Sequence, residues 1–359
     1  MTQASGPLAG LKVVEFAGIG PGPHVAMLLA DLGAEVVRIE RPGSPVTNPV
    51  VERARHRVAL DMKSTEGKAQ ARAACEAADV VLEGFRPGVM ERLGLGPDEV
   101  LAANPRCIYA RMTGWGQDGP LAQAAGHDIN YIALTGALDA VGRAGEPAIP
   151  PQNLVGDFGG GSMYCAFGIL AALFERERSG EGQVVDAAIV DGAMSLMSFF
   201  FGVRDRPFIT TERGKGMLGG AAHFYRCYEC ADGKEISLGA IEPQFYAELL
   251  AKADAPQHLA QGQMNPGNWD TYAEDLSALF KTKTRDEWTA ILEGSDACFA
   301  PVLTMEEARE HPHMAARGAF SEHDGIWHTA PAPRFSRTPG AIRSGDEDGA
   351  DVIARWEKG

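Results

Sequence analysis

The chain has 359 residues, 45% of them hydrophobic and 23% charged, a balance that fits a globular protein with two cores rather than one. Its formal charge of −15 argues against a nucleic-acid partner, whose phosphates such a surface repels. No apolar run reads as long enough to span a bilayer, and the small, uncharged start at residues 1–10 carries no secretory or transit pattern. A cytoplasmic protein without membrane attachment is therefore expected.

Residues 11–16 form a compact apolar run suited to a buried parallel strand. A Gly/Pro turn at 18–23 leads into helical spacing over 24–32, which Gly33 ends as a C-cap. Strands are predicted at 35–40, 58–62, 79–85 and 107–112, with one helix starting at Ser64 and another over 98–103. Repeated strand, helix, strand units imply the α/β class, with a mainly parallel, Rossmann-like sheet covered by helices. From 114 to 156 the chain is rich in Gly, Pro and polar residues, with one helix around 131–138; a long irregular stretch inside a compact domain is usually functional. A long apolar helix over 158–178 opens in three glycines, followed by a strand over 184–189 and a helix over 191–201. Residues 224–240 read as a β-hairpin, with helices at 244–252, 272–281 and 285–293. The expected organisation is a large α/β domain over 1–203, a linker over 204–221, a small α+β domain over 222–315, and a return segment over 316–359 packing on the large domain.

Cys227 and Cys230 sit in strand-like sequence, where positions i and i+3 point to opposite faces, so neither a disulfide nor a zinc site is expected. His311 and His313 lack acidic or cysteine partners at ligand spacing and read as loop residues. Gly18-Ile19-Gly20-Pro21-Gly22-Pro23 lies between a strand and a helix, as in a dinucleotide site. However, the third glycine of that pattern is Pro23, and Pro21 and Pro23 remove N–H donors that would cradle a pyrophosphate. A tight turn with proline opening a helix fits better, and a nicotinamide dehydrogenase is the weaker reading. Basic residues gather locally against the global charge: Arg38, Arg41, Arg53, Arg55, Arg57 and Lys63, then Arg86 and Arg92.

Two segments carry the chemistry, Gly126-His127-Asp128-Ile129-Asn130-Tyr131 and Asn153-Leu154-Val155-Gly156-Asp157-Phe158-Gly159-Gly160-Gly161. A glycine-rich helix start exposes free N–H groups at a positive dipole end. A thioester oxygen placed there would be stabilised as it becomes an enolate oxygen, each such donor being worth roughly 2.7–4 kcal/mol. A His and an Asp on opposite sides of the α-carbon would then act as base and acid and invert the centre. Taken alone, Asp157 reads as well as a helix N-cap.

With these segments, and with Asp31-Leu32-Gly33-Ala34-Glu35-Val36-Val37-Arg38, Phe85-Arg86-Pro87-Gly88-Val89-Met90 and Gly182-Gln183-Val184-Val185-Asp186, the sequence resembles the α-methylacyl-CoA racemases of the family III CoA-transferase superfamily. The resemblance runs through nearly all of the chain. It implies His127 and Asp157 as the acid/base pair, Glu242 as the small-domain carboxylate that orients His127, and Asn153 as support for Asp157. It assigns coenzyme A binding to Arg41, Ala59, Leu60, Asp61, Met62, Lys63, Gly84, Phe85, Arg86, Arg92, Gly126, Asp128, Ile129, Asn130 and Tyr131, with the basic cluster facing the phosphates. It further implies an interlocked homodimer, an acyl-CoA thioester substrate, and neither metal nor other cofactor. A formyl-CoA-type CoA-transferase with Asp157 as nucleophile is the alternative, and a non-catalytic CoA-binding protein is a third reading; His127 argues against both.

Overall fold

The computed structural model describes residues 6–203, 206 and 208–358. The first five residues, Gly359, and Arg204, Asp205 and Pro207 of the expected linker lie outside the described residues. Contacts divide the chain into two compact units, one of residues 6–135, 151–196 and 318–358, the other of residues 136–150 and 197–317.

The first unit is built on six parallel strands, β1 (Lys12–Phe16), β2 (Glu35–Glu40), β3 (Arg55–Ala59), β4 (Val80–Glu83), β5 (Ile108–Thr113) and β6 (Gln183–Ala188), in the order β3-β2-β1-β4-β5-β6. Alternation along each strand feeds two cores. Val13, Val36, Val80 and Ile108 face α1 (Pro21–Asp31) and α6 (Met163–Ser179), through Leu29, Cys165 and Ile169. Val14, Val37, Val81 and Tyr109 face the other side, with Ala74 and Cys75 of α2 (Thr65–Ala77) and Val352, Ile353 and Trp356 of α14 (Gly349–Trp356). Such double burial explains why each of these strands has consecutive apolar residues, with charged residues beside them.

β3 lies three residues before its predicted position. Arg55 and Arg57 hide it from an apolar pattern, because their charges are answered by carboxylates of neighbouring strands: Arg55 Nε donates to Glu15 at 2.8 Å and Arg57 Nε to Glu40 at 3.0 Å. α4 (Pro97–Ala103) is the helix expected over 98–103; the short α3 (Val89–Leu93) before it was not expected, and α5 (Asp128–Leu134) starts three residues before its expected place. The long apolar helix also starts earlier, as a π-helical segment Leu154–Ser162 that runs on into α6. By length and composition alone that continuous helix is long and apolar enough to cross a membrane, where the sequence reading found no apolar run of that length. One side of it packs in the core through Cys165, Ile169 and Ala172, while Met163, Phe167, Leu170 and Phe174 form an exposed stripe. β6 is followed by α7 (Ile189–Leu196), and a hairpin of β10 (Phe320–His323) and β11 (Ile326–Thr329) precedes α14.

The second unit adds to residues 136–150 the helix α8 (Ser198–Val203) and an antiparallel sheet of β7 (Tyr225–Glu229), β8 (Glu235–Gly239) and β9 (Phe299–Pro301). The helices α9 (Pro243–Lys252), α10 (Trp269–Phe280) and α11 (Arg285–Leu292) bury Leu249, Leu276, Phe280, Trp288 and Leu292 in its core. The short α12 (Met305–Glu310) and α13 (Pro312–Ala316) end it; His311 caps α13 and His313 lies within it, not in a loop. Residues expected in a linker are part of this unit. Arg213 Nε donates to the Asp139 carbonyl at 2.9 Å, and Met217 N–H to the Phe208 carbonyl at 2.8 Å. Cys227 is exposed and Cys230 buried, as opposite strand faces require.

Candidate active site

Between β1 and β4 the direction of the strand order reverses. Open α/β sheets bind ligands in the crevice outside the carboxyl ends of their strands at such a point. Here that crevice is a cleft of about 690 Å³. Its walls are Phe16 and residues 18–23 after β1, residues 82–87 at the end of β4, residues 112–115 at the end of β5, and Ile189 after β6. The loop before α5 adds Gly126 and His127, α5 itself adds Tyr131, and the start of the π-helical segment adds Asn153 and Asp157. His127 and Asp157, 30 positions apart in sequence, therefore share one cleft.

Each is placed by its local backbone. His127 is the exposed N-cap of α5, and its N–H donates to the side chain of Asn130 at 3.1 Å. Asp157 is half-buried. Asn153 Nδ2 donates to its Oδ2 at 3.4 Å, and the Asp157 N–H donates to Asp128 Oδ2 at 2.7 Å. Asp128, adjacent to His127, thus ties the two segments together. It is buried, and a Cβ at Gly156 would stand 2.4 Å from its Oδ2, so only glycine permits the approach. Burial raises the Asp157 carboxyl above the usual carboxylate range. The Asn153 hydrogen bond opposes this, the Asp128 charge adds to it and His127 opposes it, with a net shift upward. A carboxyl so raised holds a proton more readily than a solvated one.

The glycine tract does other work than expected. Gly159, Gly160 and Gly161 lie inside the π-helical segment, not at its open end. A Cβ at Gly160 would meet Ala193 N at 2.6 Å, and one at Gly192 would meet Gly160 O at 1.8 Å. The glycines let α7 pack directly on the helix that carries Asp157, which corrects their reading as ligand-facing donors. Helix starts that do line the cleft are those of α1, through residues 21–23, and of α5, through its N-cap His127.

Of the residues assigned to coenzyme A, Gly84, Phe85, Arg86, Gly126 and Tyr131 line the cleft. Arg41, Ala59, Leu60, Asp61, Met62 and Lys63 do not line it, but follow β2 and β3 at the same sheet edge, and Arg92 follows β4 within α3. Leu60 is buried in the core, and Asp61 shapes the turn into α2, accepting the Lys63 N–H at 2.9 Å. Asp128 is committed to Asp157, Asn130 caps α5, and Ile129 is exposed beside them. Glu242 belongs to the second unit, exposed at the N-cap of α9.

The basic cluster divides in two. Arg38 and Arg55 pair with Glu15, Arg53 with Asp31, and Arg57 with Glu40 and Glu52. Arg38, Arg53 and Arg55 are buried in these pairs, so the expectation that the whole cluster faces phosphate is corrected. Arg41, Lys63, Arg86 and Arg92 are exposed, and among the described residues their charged ends make no ion pair. Partners on separate strands could not be read from the chain order.

Residues 8–348 match the family described as CoA-transferase family III. The chain belongs to that family. It is 46% identical over 342 residues to alpha-methylacyl-CoA racemase of Mus musculus, which covers 95% of this chain and 89% of that one. The corresponding protein of Homo sapiens is 45% identical over 334 residues, 92% and 87% of the two chains. Among solved structures, a CAIB/BAIF family protein from Brucella suis matches with a TM-score of 0.82 at 25% identity, over 98% of this chain and 100% of that one. The family fold and the parallel sheet expected from sequence are thereby borne out.

Proposed function

We propose that the protein interconverts (R)- and (S)-2-methylacyl-CoA thioesters by proton transfer through an enolate, with His127 and Asp157 as the acid/base pair. The observation that carries this is the meeting of both side chains in one cleft at the switch point of the sheet, together with the names of the relatives that share nearly half of the sequence. In one direction neutral His127 takes the α-proton and protonated Asp157 delivers one to the other face; in the reverse direction the roles exchange. Burial favours this, because it helps Asp157 keep its proton until the enolate needs it. The positive end of α1 at the cleft, where Gly22 keeps the N–H that Pro21 and Pro23 lack, would favour the negative charge developing on the thioester oxygen. Side chains suffice for every step, and no cofactor is called on.

The nucleotide end of the substrate would run along the carboxyl edge of β4, β2 and β3, where Arg86, Arg92, Arg41 and Lys63 stand free. A homodimer, with Glu242 of one copy orienting His127 of the other, completes the proposal. The exposed stripe Met163, Phe167, Leu170 and Phe174, with exposed Phe199 and Phe201 of α8, supplies apolar surface of the kind that subunit interfaces cover.

A single enantiomer of a 2-methylacyl-CoA, incubated in D₂O without an acceptor acid, tests the reaction. Deuterium entering the α-position with loss of chirality is expected, and His127→Ala should abolish both. Absence of exchange, with CoA transfer on adding a free carboxylic acid, would make Asp157 a nucleophile and the protein a transferase.

A further inference from the structure

A buried ionic group in the wall of the cleft has no part in the proton transfer proposed above. Glu83, the last residue of β4, is 1% exposed. Its Oε2 accepts the N–H of Phe85 at 2.7 Å, and its Oε1 accepts from Arg111 Nε at 3.0 Å. Arg111, buried on β5, reaches on to α3, where its Nη1 donates to Glu91 Oε1 at 2.8 Å and its Nη2 to Glu91 Oε2 at 3.4 Å. One guanidinium therefore fastens both ends of residues 84–88. The loop holds Arg86, and the head of Arg92 lies over it, with Nη1 3.1 Å from where a Cβ on Gly88 would stand.

Two consequences follow from this arrangement. The fork of Arg111 fixes the loop and α3 relative to the sheet, as bidentate carboxylate pairing does. It also occupies the Glu91 carboxylate, the acidic group nearest in sequence to Arg92, so that the two exposed arginines stay available to an anion. We infer that Arg111 is a positioning residue for phosphate recognition: through Glu83 and Glu91 it presents Arg86 and Arg92, unpaired, to the nucleotide phosphates of coenzyme A. The inference rests on the acyl-CoA reading above and adds the part of the substrate that this buried group serves. Arms held in place before binding lose little freedom when the ligand arrives, so the effect belongs to affinity for the nucleotide and not to the proton transfer.

The test compares wild type with Glu91→Ala and with the paired change Glu83→Gln/Arg111→Met, which leaves no unpartnered buried charge. Two quantities are measured: the calorimetric Kd of free CoA, and kcat/KM for α-deuteration of a 2-methylacyl-CoA against the same acyl group on pantetheine, which lacks the nucleotide. Both variants should bind CoA about tenfold more weakly, the scale of one lost charge-assisted hydrogen bond. Their preference for the CoA ester over the pantetheine ester should fall by a similar factor, through KM rather than kcat. Equal losses on the two esters would show a merely structural role and overturn the inference, as would an unchanged Kd for CoA. CoA binding is read without turnover. A wild type that binds CoA but exchanges no deuterium would refute the proposed reaction and leave the Kd comparison to decide this inference; a wild type that fails to bind CoA would refute both.

Discussion

Gly192→Ala is the sharpest probe of how the helix carrying Asp157 is held. A Cβ at position 192 would stand 1.8 Å from Gly160 O, 2.6 Å from its carbonyl carbon and 2.9 Å from its Cα. All three are backbone atoms, so no side chain can swing away. Ordinary contact between a methyl group and an oxygen needs well over 3 Å, so α7 and the π-helical segment must separate by more than about 1 Å, and overpacking of this kind typically costs about 1–3 kcal/mol. For a unit of this size that lowers Tm by roughly 2–4 °C per kcal/mol. Displacing Asp157 by about 1 Å from its working position is enough to slow proton transfer by roughly 10²-fold. Gly202→Ala in α8 is the control, because its Cβ would meet nothing within 4 Å. It should be neutral, or stabilising by about 0.4–1 kcal/mol. The assays are calorimetric melting and α-deuteration of a 2-methylacyl-CoA. Wild-type exchange and Tm in Gly192→Ala would refute the argument that this glycine contact fixes the acid/base residue.

Asp128→Asn keeps the shape of the side chain and removes its charge, one of the causes that raise the Asp157 carboxyl. The pKa of Asp157 should therefore fall. In the direction where Asp157 donates, activity declines as pH rises through that pKa, so the decline should move to lower pH; a profile of kcat/KM against pH checks it, and an unmoved limb contradicts the coupling. Asp31→Ala strands Arg53, whose Nε donates to Asp31 at 2.9 Å between side chains 3% and 2% exposed. Breaking a buried pair in this way typically costs about 3–5 kcal/mol. Urea unfolding should show the loss, and Asp31→Leu/Arg53→Met should recover much of it.

What could be read from the sequence follows from locality. β1, β2, β4 and β5 were legible because burial on both faces gives each a run of apolar neighbours, Val13-Val14, Val36-Val37, Val80-Val81-Leu82 and Ile108-Tyr109-Ala110, that stands out beside the charged residues of the same strands. β3 was displaced because Arg55 and Arg57 owe their place in the sheet to Glu15 and Glu40, which only folding brings near, as well as to Glu52 just before the strand. The β10–β11 hairpin carried a usable signal that was passed over: Asp324 and Gly325 both have positive φ, 51° and 76°, as a two-residue turn of mirror-image type requires. At the site, the segments holding His127 and Asp157 stood out by residue type. The hydrogen bond from the Asp157 N–H to Asp128 did not, because it joins the first turns of two helical segments 29 positions apart and leaves no periodic trace. The glycine tract was recognised as special but given the wrong neighbour, a ligand where the fold has a helix.

The first unit is written in three separate stretches of sequence, and the last of them supplies Val352, Ile353 and Trp356 to one face of the sheet. A ribosome making this protein delivers all six strands of the sheet long before the last helix that shields that face. The second unit, finished by residue 317, has all of its own sheet and helices while the older part of the nascent chain still exposes apolar surface. Birth order and completion order are thus reversed: what is synthesised first closes last. During that interval the uncovered strands are the region most in need of a chaperone, and a premature stop that removes only the final helix would leave them permanently in that condition.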